Sequence, residues 1–488
     1  MEAGEIKFTA VTRSTRLFAV SQAWLLVAGL ALQVLVSRSL GASDYGRFVV
    51  VQMIGLALMT LAMSVIPNAL RRVVSLHPSS LRHAWRMVGS RQFPLSVALG
   101  GGLWLASPAL AEAFHDERLL GGLRWMALDL AIKGGLLEPG WQLLNGAQRH
   151  GTQSALMAAH GLWRLVGVTS ALAFQPTLDG AFLGLLASTA VSSLCVLVCL
   201  ERACRRIVVD AGHSPDIALR RWMQFATVAD VLNQLLASTS LWLLKGFSTD
   251  EGSFGAYAAC HMLVQPVLPC GLILSRSTFA TFARAVVIDR ALTVRMLQRS
   301  TELAVVLTAL GITLAQSRGS PIVAFVYGAG LSECGPLLGM MSAGMAGLAV
   351  MWFFCEMLGA GNWLGARMAA VVGTTLVALP LAVVLIRAWG AAGAGIASML
   401  VGIVGSGLAW LLLSRRVGDF FPWSVCGRAT LSGLLVWSVG QFVLTTSPAM
   451  PLVLDLTMLA GCFAVSMRLT GNLAGKLLPA SATPLTQK

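Results

Sequence analysis

Apolar stretches of bilayer-spanning length follow one another from residue 15 to residue 468, and Lys and Arg fall almost entirely on every second connection between them. A helix needs about 20 apolar residues to cross roughly 30 Å of hydrocarbon, and cations kept on one side set its orientation. The pattern predicts an all-α polytopic membrane protein with about 14 transmembrane helices. The expected spans lie near 15–37, 46–68, 92–111, 119–142, 152–174, 179–200, 222–245, 253–276, 301–317, 333–356, 364–387, 390–413, 425–446 and 449–468. Arg318, Gly319 and Pro321 interrupt the ninth before apolar residues resume at Ile322, so a broken helix or a short re-entrant end is expected there. With 56% hydrophobic and 11% charged residues over 488 positions, a water-soluble fold is excluded, because only lipid tolerates that much apolar surface.

The richest cationic connections carry Arg71, Arg72, Arg82, Arg86 and Arg91, then Arg202, Arg205, Arg206, Arg220 and Arg221, then Arg276, Arg284, Arg290, Arg295 and Arg299. Their alternation places both termini in the cytoplasm of a cell with this protein in its inner (plasma) membrane. The opposite connections are short, with acidic residues such as Glu112, Asp116, Glu117, Asp250 and Glu251. Topology and contact with anionic membrane lipids account for the net charge of +14, and no nucleic acid is expected as a partner. The first apolar run is a full span with no A-x-A site after its cationic leader, so that helix is expected to stay. Most of the nine cysteines, among them Cys195, Cys199, Cys260, Cys270 and Cys462, fall inside spans, where they act as small apolar residues.

An internal repeat organises the chain. Asp44-Tyr45-Gly46-Arg47-Phe48 matches Ser253-Phe254-Gly255-Ala256-Tyr257, and Asp179-Gly180-Ala181 matches Ala392-Gly393-Ala394, each pair about 210 residues apart. Six helices is an even number, so duplicated six-helix halves begin on the same side and lie parallel, related by an axis along the membrane normal. The expected division is an N-terminal lobe over 1–210, a C-terminal lobe over 211–420, two further helices over 421–470 and a cytoplasmic tail over 471–488.

The segment Ser39-Leu40-Gly41-Ala42-Ser43-Asp44-Tyr45-Gly46-Arg47-Phe48 resembles the LG-x-x-D-Y/F-G-x-F/Y signature of polysaccharide flippases in the multidrug/oligosaccharidyl-lipid/polysaccharide exporter superfamily. Leu144-Asn145-Gly146-Ala147-Gln148-Arg149, Phe254-Gly255-Ala256-Tyr257, Val326-Tyr327-Gly328 and Gly393-Ala394-Gly395 fit the same family in order and spacing, over roughly residues 10 to 415. The resemblance implies a two-lobed flippase that moves an isoprenoid-diphosphate-linked oligosaccharide to the outer leaflet by alternating access. Surface polysaccharide (O-antigen, capsule or exopolysaccharide) would be the product, with a polysaccharide polymerase or synthase complex as partner. Many relatives have an acidic residue midway along the seventh helix. Here the sequence reads Ala237-Ser238-Thr239-Ser240-Leu241-Trp242, with Asp230 further inward, so no coupling residue is carried over. The cavity arginines of lipid II flippases have no residue-by-residue match.

Ionisable groups in hydrocarbon are costly and usually face a cavity or a partner. Lys133 and Arg164 are the cations expected to bind a diphosphate, and Arg276 at the mouth of the eighth span either collects phosphate or marks topology. Asp129 sits one turn before Lys133, where it either neutralises it or, with Asp230 and His261, couples ions to the cycle. Gln22, Gln33, Gln52, Asn68, Asn233 and Gln265 are uncharged groups suited to sugar hydroxyls or to holding helices together. Gly335, Gly339, Ala343 and Gly347 form a small-residue stripe on the tenth span. No P-loop, H-E-x-x-H, C-x-x-C or paired loop carboxylates are present, so no catalysis, cofactor or metal is expected. Two other readings stand beside the flippase: an ion-coupled drug or metabolite antiporter of the same superfamily, and a non-transporting scaffold of a polysaccharide synthase complex.

Overall fold

A computed structural model describes residues 8–76, 78–147, 149–205, 217–247, 250–268, 289–446 and 452–477, together with 271, 274, 275, 278, 282, 285 and 286. Lipid offers backbone groups no hydrogen bonds, so a spanning chain must satisfy them within its own helices. No strand occurs among the described residues. The helices are α1 (Phe8–Leu76), α2 (Leu81–Met87), α3 (Phe93–Ala113), α4 (Leu119–Ile132), α5 (Glu138–Gly146), α6 (His150–Phe174), α7 (Leu178–Arg205), α8 (Ile217–Phe247), α9 (Glu251–Val264), α10 (Arg290–Tyr327), α11 (Gly335–Ala360), α12 (Leu364–Val417), α13 (Trp423–Thr446) and α14 (Leu452–Leu477).

Two of these are too long to be single spans. At 1.5 Å per residue a straight α1 would reach roughly 100 Å and α12 roughly 80 Å, each more than twice a bilayer. Both break at a glycine with positive φ, Gly41 (φ 77°) in α1 and Gly390 (φ 55°) in α12. Glycine adopts that backbone without the Cβ clash any other residue would meet. The Gly41 break falls between two expected spans, and the Gly390 break falls on the first residue of the expected span 390–413. The expected interruption of the ninth span is also present, as the non-helical backbone of Arg318 inside α10.

The described chain forms two compact units, residues 1–263 with 382–391, and residues 264–381 with 392–488. That partition follows contacts, whereas the six-helix lobes follow internal similarity. In the first unit, Leu70, Val74, Leu144, Val196 and Leu200 form an apolar core where the ends of α1, α5 and α7 meet. Gly167 and Gly184 let α6 and α7 touch, for a Cβ on either would lie 2.7 Å from the other's carbonyl oxygen. In the second unit the expected small-residue stripe divides: Gly335 and Gly339 face Ser320 and Gln316 of α10, while Gly347 and the neighbouring Gly344 let α11 touch α12. A Cβ on Gly344 would meet the Ser398 carbonyl oxygen at 2.5 Å, and one on Gly347 the Gly402 carbonyl carbon at 2.5 Å. The outside is apolar, with Leu105 81% and Phe174 91% exposed, a surface made for lipid rather than water.

Candidate functional site

Ionisable residues converge inside the first unit. Asp129 lies in the last turn of α4, buried, and its Oδ1 has no hydrogen-bond partner among the described residues. Lys133 follows at the start of a five-residue π-turn, Lys133–Leu137, which joins α4 to α5. A π-turn leaves backbone carbonyls poorly served and is frequent at functional positions. Here Gln92 serves one of them. Fully buried on α3's side, it donates from Nε2 to the Gly134 carbonyl oxygen (2.9 Å), the Ala62 carbonyl oxygen (3.1 Å) and Ser96 Oγ (3.2 Å).

Arg164 projects from α6, half-buried, and feels the charge of Asp129. Both Lys133 and Arg164 act electrostatically on His160, one turn before Arg164. His160 itself is buried, with Nδ1 2.9 Å from Ser192 Oγ and its ring edge-on to Trp141 at 5.3 Å. Among the described residues neither Lys133 nor Arg164 has a carboxylate within salt-bridge distance, so the local neutralisation of Lys133 by Asp129 does not form as an ion pair. The set is two cations and one carboxylate with no salt bridge among them, beside a histidine held by its hydrogen bond to Ser192. Such a set can receive an anion through charge-assisted hydrogen bonds.

The uncharged candidates divide. Gln33 donates to Gln52 Oε1 (3.0 Å) and accepts from the Tyr45 hydroxyl (3.0 Å), so these two glutamines join the two halves of α1. Asn233, buried on α8, has neither its Oδ1 nor its Nδ2 satisfied among the described residues, and the Nε2 of neighbouring Gln234 is likewise unsatisfied. His261 is buried on α9 and stacks on Tyr257 at 6.3 Å; Gln265 lies half-buried just beyond that helix. Arg276 and the side chains of Gln22, Asn68 and Asp230 lie outside the described residues.

Sequence reasoning missed a second charge group, at the helix ends opposite the arginine-rich connections. Arg47 Nε donates to Asp116 Oδ2 at 2.8 Å and Lys245 Nζ reaches the same oxygen at 2.8 Å, with all three side chains 5 to 7% exposed. Burial alone would raise the Asp116 pKa, but hydrogen bonds and charge from Lys245 and Arg47 outweigh it and hold the carboxyl below its ordinary range. The available signal was two basic residues, Arg47 and Lys245, at the ends of expected spans facing the side otherwise poor in cations.

A helical chain that folds back through lipid, with ionisable groups gathered inside it, is a polytopic membrane protein with a polar interior. More narrowly, its fold is similar to that of solved transporters of the MOP superfamily. The lipid II flippase MurJ, in an inward closed conformation, matches with a TM-score of 0.62 at 14% identity, covering 94% of this chain and 99% of that one. A MOP superfamily transporter from Pyrococcus furiosus matches at 0.61 with 16% identity, covering 83% and 96%. The Vibrio cholerae MATE transporter VcmN in its bent form matches at 0.57 with 16% identity, covering 84% and 98%. No protein-family model matches the chain, and comparison with curated proteins finds no match.

Proposed function

We propose that this protein translocates an isoprenoid-diphosphate-linked oligosaccharide from the cytoplasmic to the outer leaflet of the inner membrane, for surface polysaccharide assembly. The observation that carries the reading is the pair of cations, Lys133 and Arg164, inside an apolar unit without a salt-bridged carboxylate among the described residues. A charge in hydrocarbon needs a partner, and a diphosphate suits two cations, one of them a planar guanidinium fork. Asn233 and Gln234, with unsatisfied amides, are suited to sugar hydroxyls. The presence of a lipid II flippase among the similar structures is consistent with a lipid-linked cargo. The two six-helix lobes, cytoplasmic termini and a polymerase or synthase partner belong to the same proposal.

The MATE likeness favours a second reading, an ion-coupled antiporter of drugs or metabolites. Equilibrium binding to the purified protein separates the two. Polyprenyl diphosphate should bind at least tenfold more tightly than the neutral polyprenol, and Lys133→Ala or Arg164→Ala should each cost about 1.5–3 kcal/mol, the worth of a hydrogen bond to a charged group. Binding indifferent to the diphosphate, with both variants unchanged, would favour the antiporter.

A further inference from the structure

We propose that the buried bond between Lys245 and Asp116 is a latch that closes the outer end of the path through the protein and parts in each transport cycle. Helices α1 and α4 lie in the first half of the repeat and α8 and α9 in the second. The repeat equates Gly46 with Gly255, and these two meet: a Cβ on Gly46 would lie 3.1 Å from Gly255 Cα and 3.0 Å from Phe254 Cε1. The latch rests on the two-lobed flippase proposed above: equivalent points of two parallel halves touch where they sit on the axis between them, so on that reading the Gly46 contact lies at the axis and a cargo path along it is shut at this end.

Lys245 to Asp116 is the ion pair that crosses from one half to the other here. Each partner also has a companion at home. Asp116 keeps Arg47 at 2.8 Å and accepts the Arg118 backbone N–H at 3.2 Å. Lys245 lies over the Phe254 ring, 5.3 Å from its centroid. Arg47 in turn has Asp44 and the Ser43 hydroxyl on its own helix. The expensive outcome of breaking a buried pair is a charge left with nothing; here parting leaves Asp116 with Arg47 and Lys245 against the Phe254 ring, which lowers that cost. That makes a two-state element whose open form lies within reach. The D-Y-G-R-F segment and its repeat copy then act as the two faces of a gate rather than as cargo ligands.

The test is thiol accessibility from outside intact cells, a readout independent of any cargo. In a cysteine-free background, Ser238→Cys places a thiol on α8 at a fully buried position two turns inward of Lys245. A membrane-impermeant maleimide should label it slowly when the latch is intact. Lys245→Met, or the isosteric Asp116→Asn, should speed labelling roughly tenfold, and Lys245→Arg should keep it slow. If both Lys245→Met and Asp116→Asn insert at parental levels and label no faster, or if Lys245→Arg labels as fast as Lys245→Met, the latch is wrong.

Discussion

Arg318 and Asp455 stand 137 positions apart in the chain and form a buried ion pair, with Arg318 Nη2 donating to Asp455 Oδ1 at 3.0 Å and Nε to Oδ2. The Arg318 Nη1 also donates to the Gly440 carbonyl oxygen at 2.8 Å. The residue that breaks α10 is thus tied to α13 and α14 together, within the second unit. Val436, Leu459 and Phe463, set against Leu310 and Leu314, add an apolar seam beside it.

Removing one partner leaves the other charged, buried and alone, which costs about 3–5 kcal/mol. Arg318→Leu and Asp455→Leu should each lower the melting temperature of the detergent-solubilised protein sharply. The double variant should recover a large part of that loss, because two apolar side chains leave no unpaired charge. A double-mutant cycle on melting temperature measures this, and additive losses would contradict the pairing.

The close approach of α11 and α12 should be intolerant of side chains. Gly402→Val puts atoms where the Gly344 carbonyl oxygen already sits, 2.3 Å from an added Cβ. Overfilling of this kind costs about 1–3 kcal/mol. Gly407→Val, with open space around its Cβ position, should leave the melting temperature near parental.

Asp116 makes stability depend on acid. Its folded pKa lies below the ordinary value of 3.8, so its stabilising contribution is full above about pH 5 and drains away as pH falls through the lower folded value. The melting temperature of the parental protein should decline more steeply between about pH 5 and pH 3 than that of Asp116→Asn, which has no such proton to take up. Parallel curves would show that the carboxylate contributes nothing at this position.

Lys133→Ala and Arg164→Ala should cripple polysaccharide export while the protein remains in the membrane at normal abundance. Output at parental levels from both would remove them from the binding site.

The spans were legible because lipid imposes one rule on every crossing segment, a long apolar run. The gaps near Gly41 and Gly390 were legible as pauses between apolar runs, but not the positive-φ glycine that makes each break. Arg318 was legible as an interruption but not as one half of a pair, because its partner lies 137 residues away and local spacing says nothing of it. The Arg47, Asp116 and Lys245 group was hidden likewise, its members on three distant segments. The π-turn at Lys133 leaves no periodic signal over five residues, and Gln92, which supports it, carries no motif. Lys133, Asp129 and Arg164 stand out in the sequence because charge inside hydrocarbon is costly, whereas the absence of an ion pair between Asp129 and Lys133 is a property of the fold that i, i+4 spacing does not predict.

The most direct measurement is the sidedness of polyprenyl-diphosphate oligosaccharide in cells lacking this protein and in cells with it restored. The account predicts that intermediates accumulate on the cytoplasmic leaflet without the protein and reach the outer leaflet when it returns. Normal sidedness in its absence, accompanied by altered resistance to drugs or metabolites, would contradict the flippase and support the antiporter.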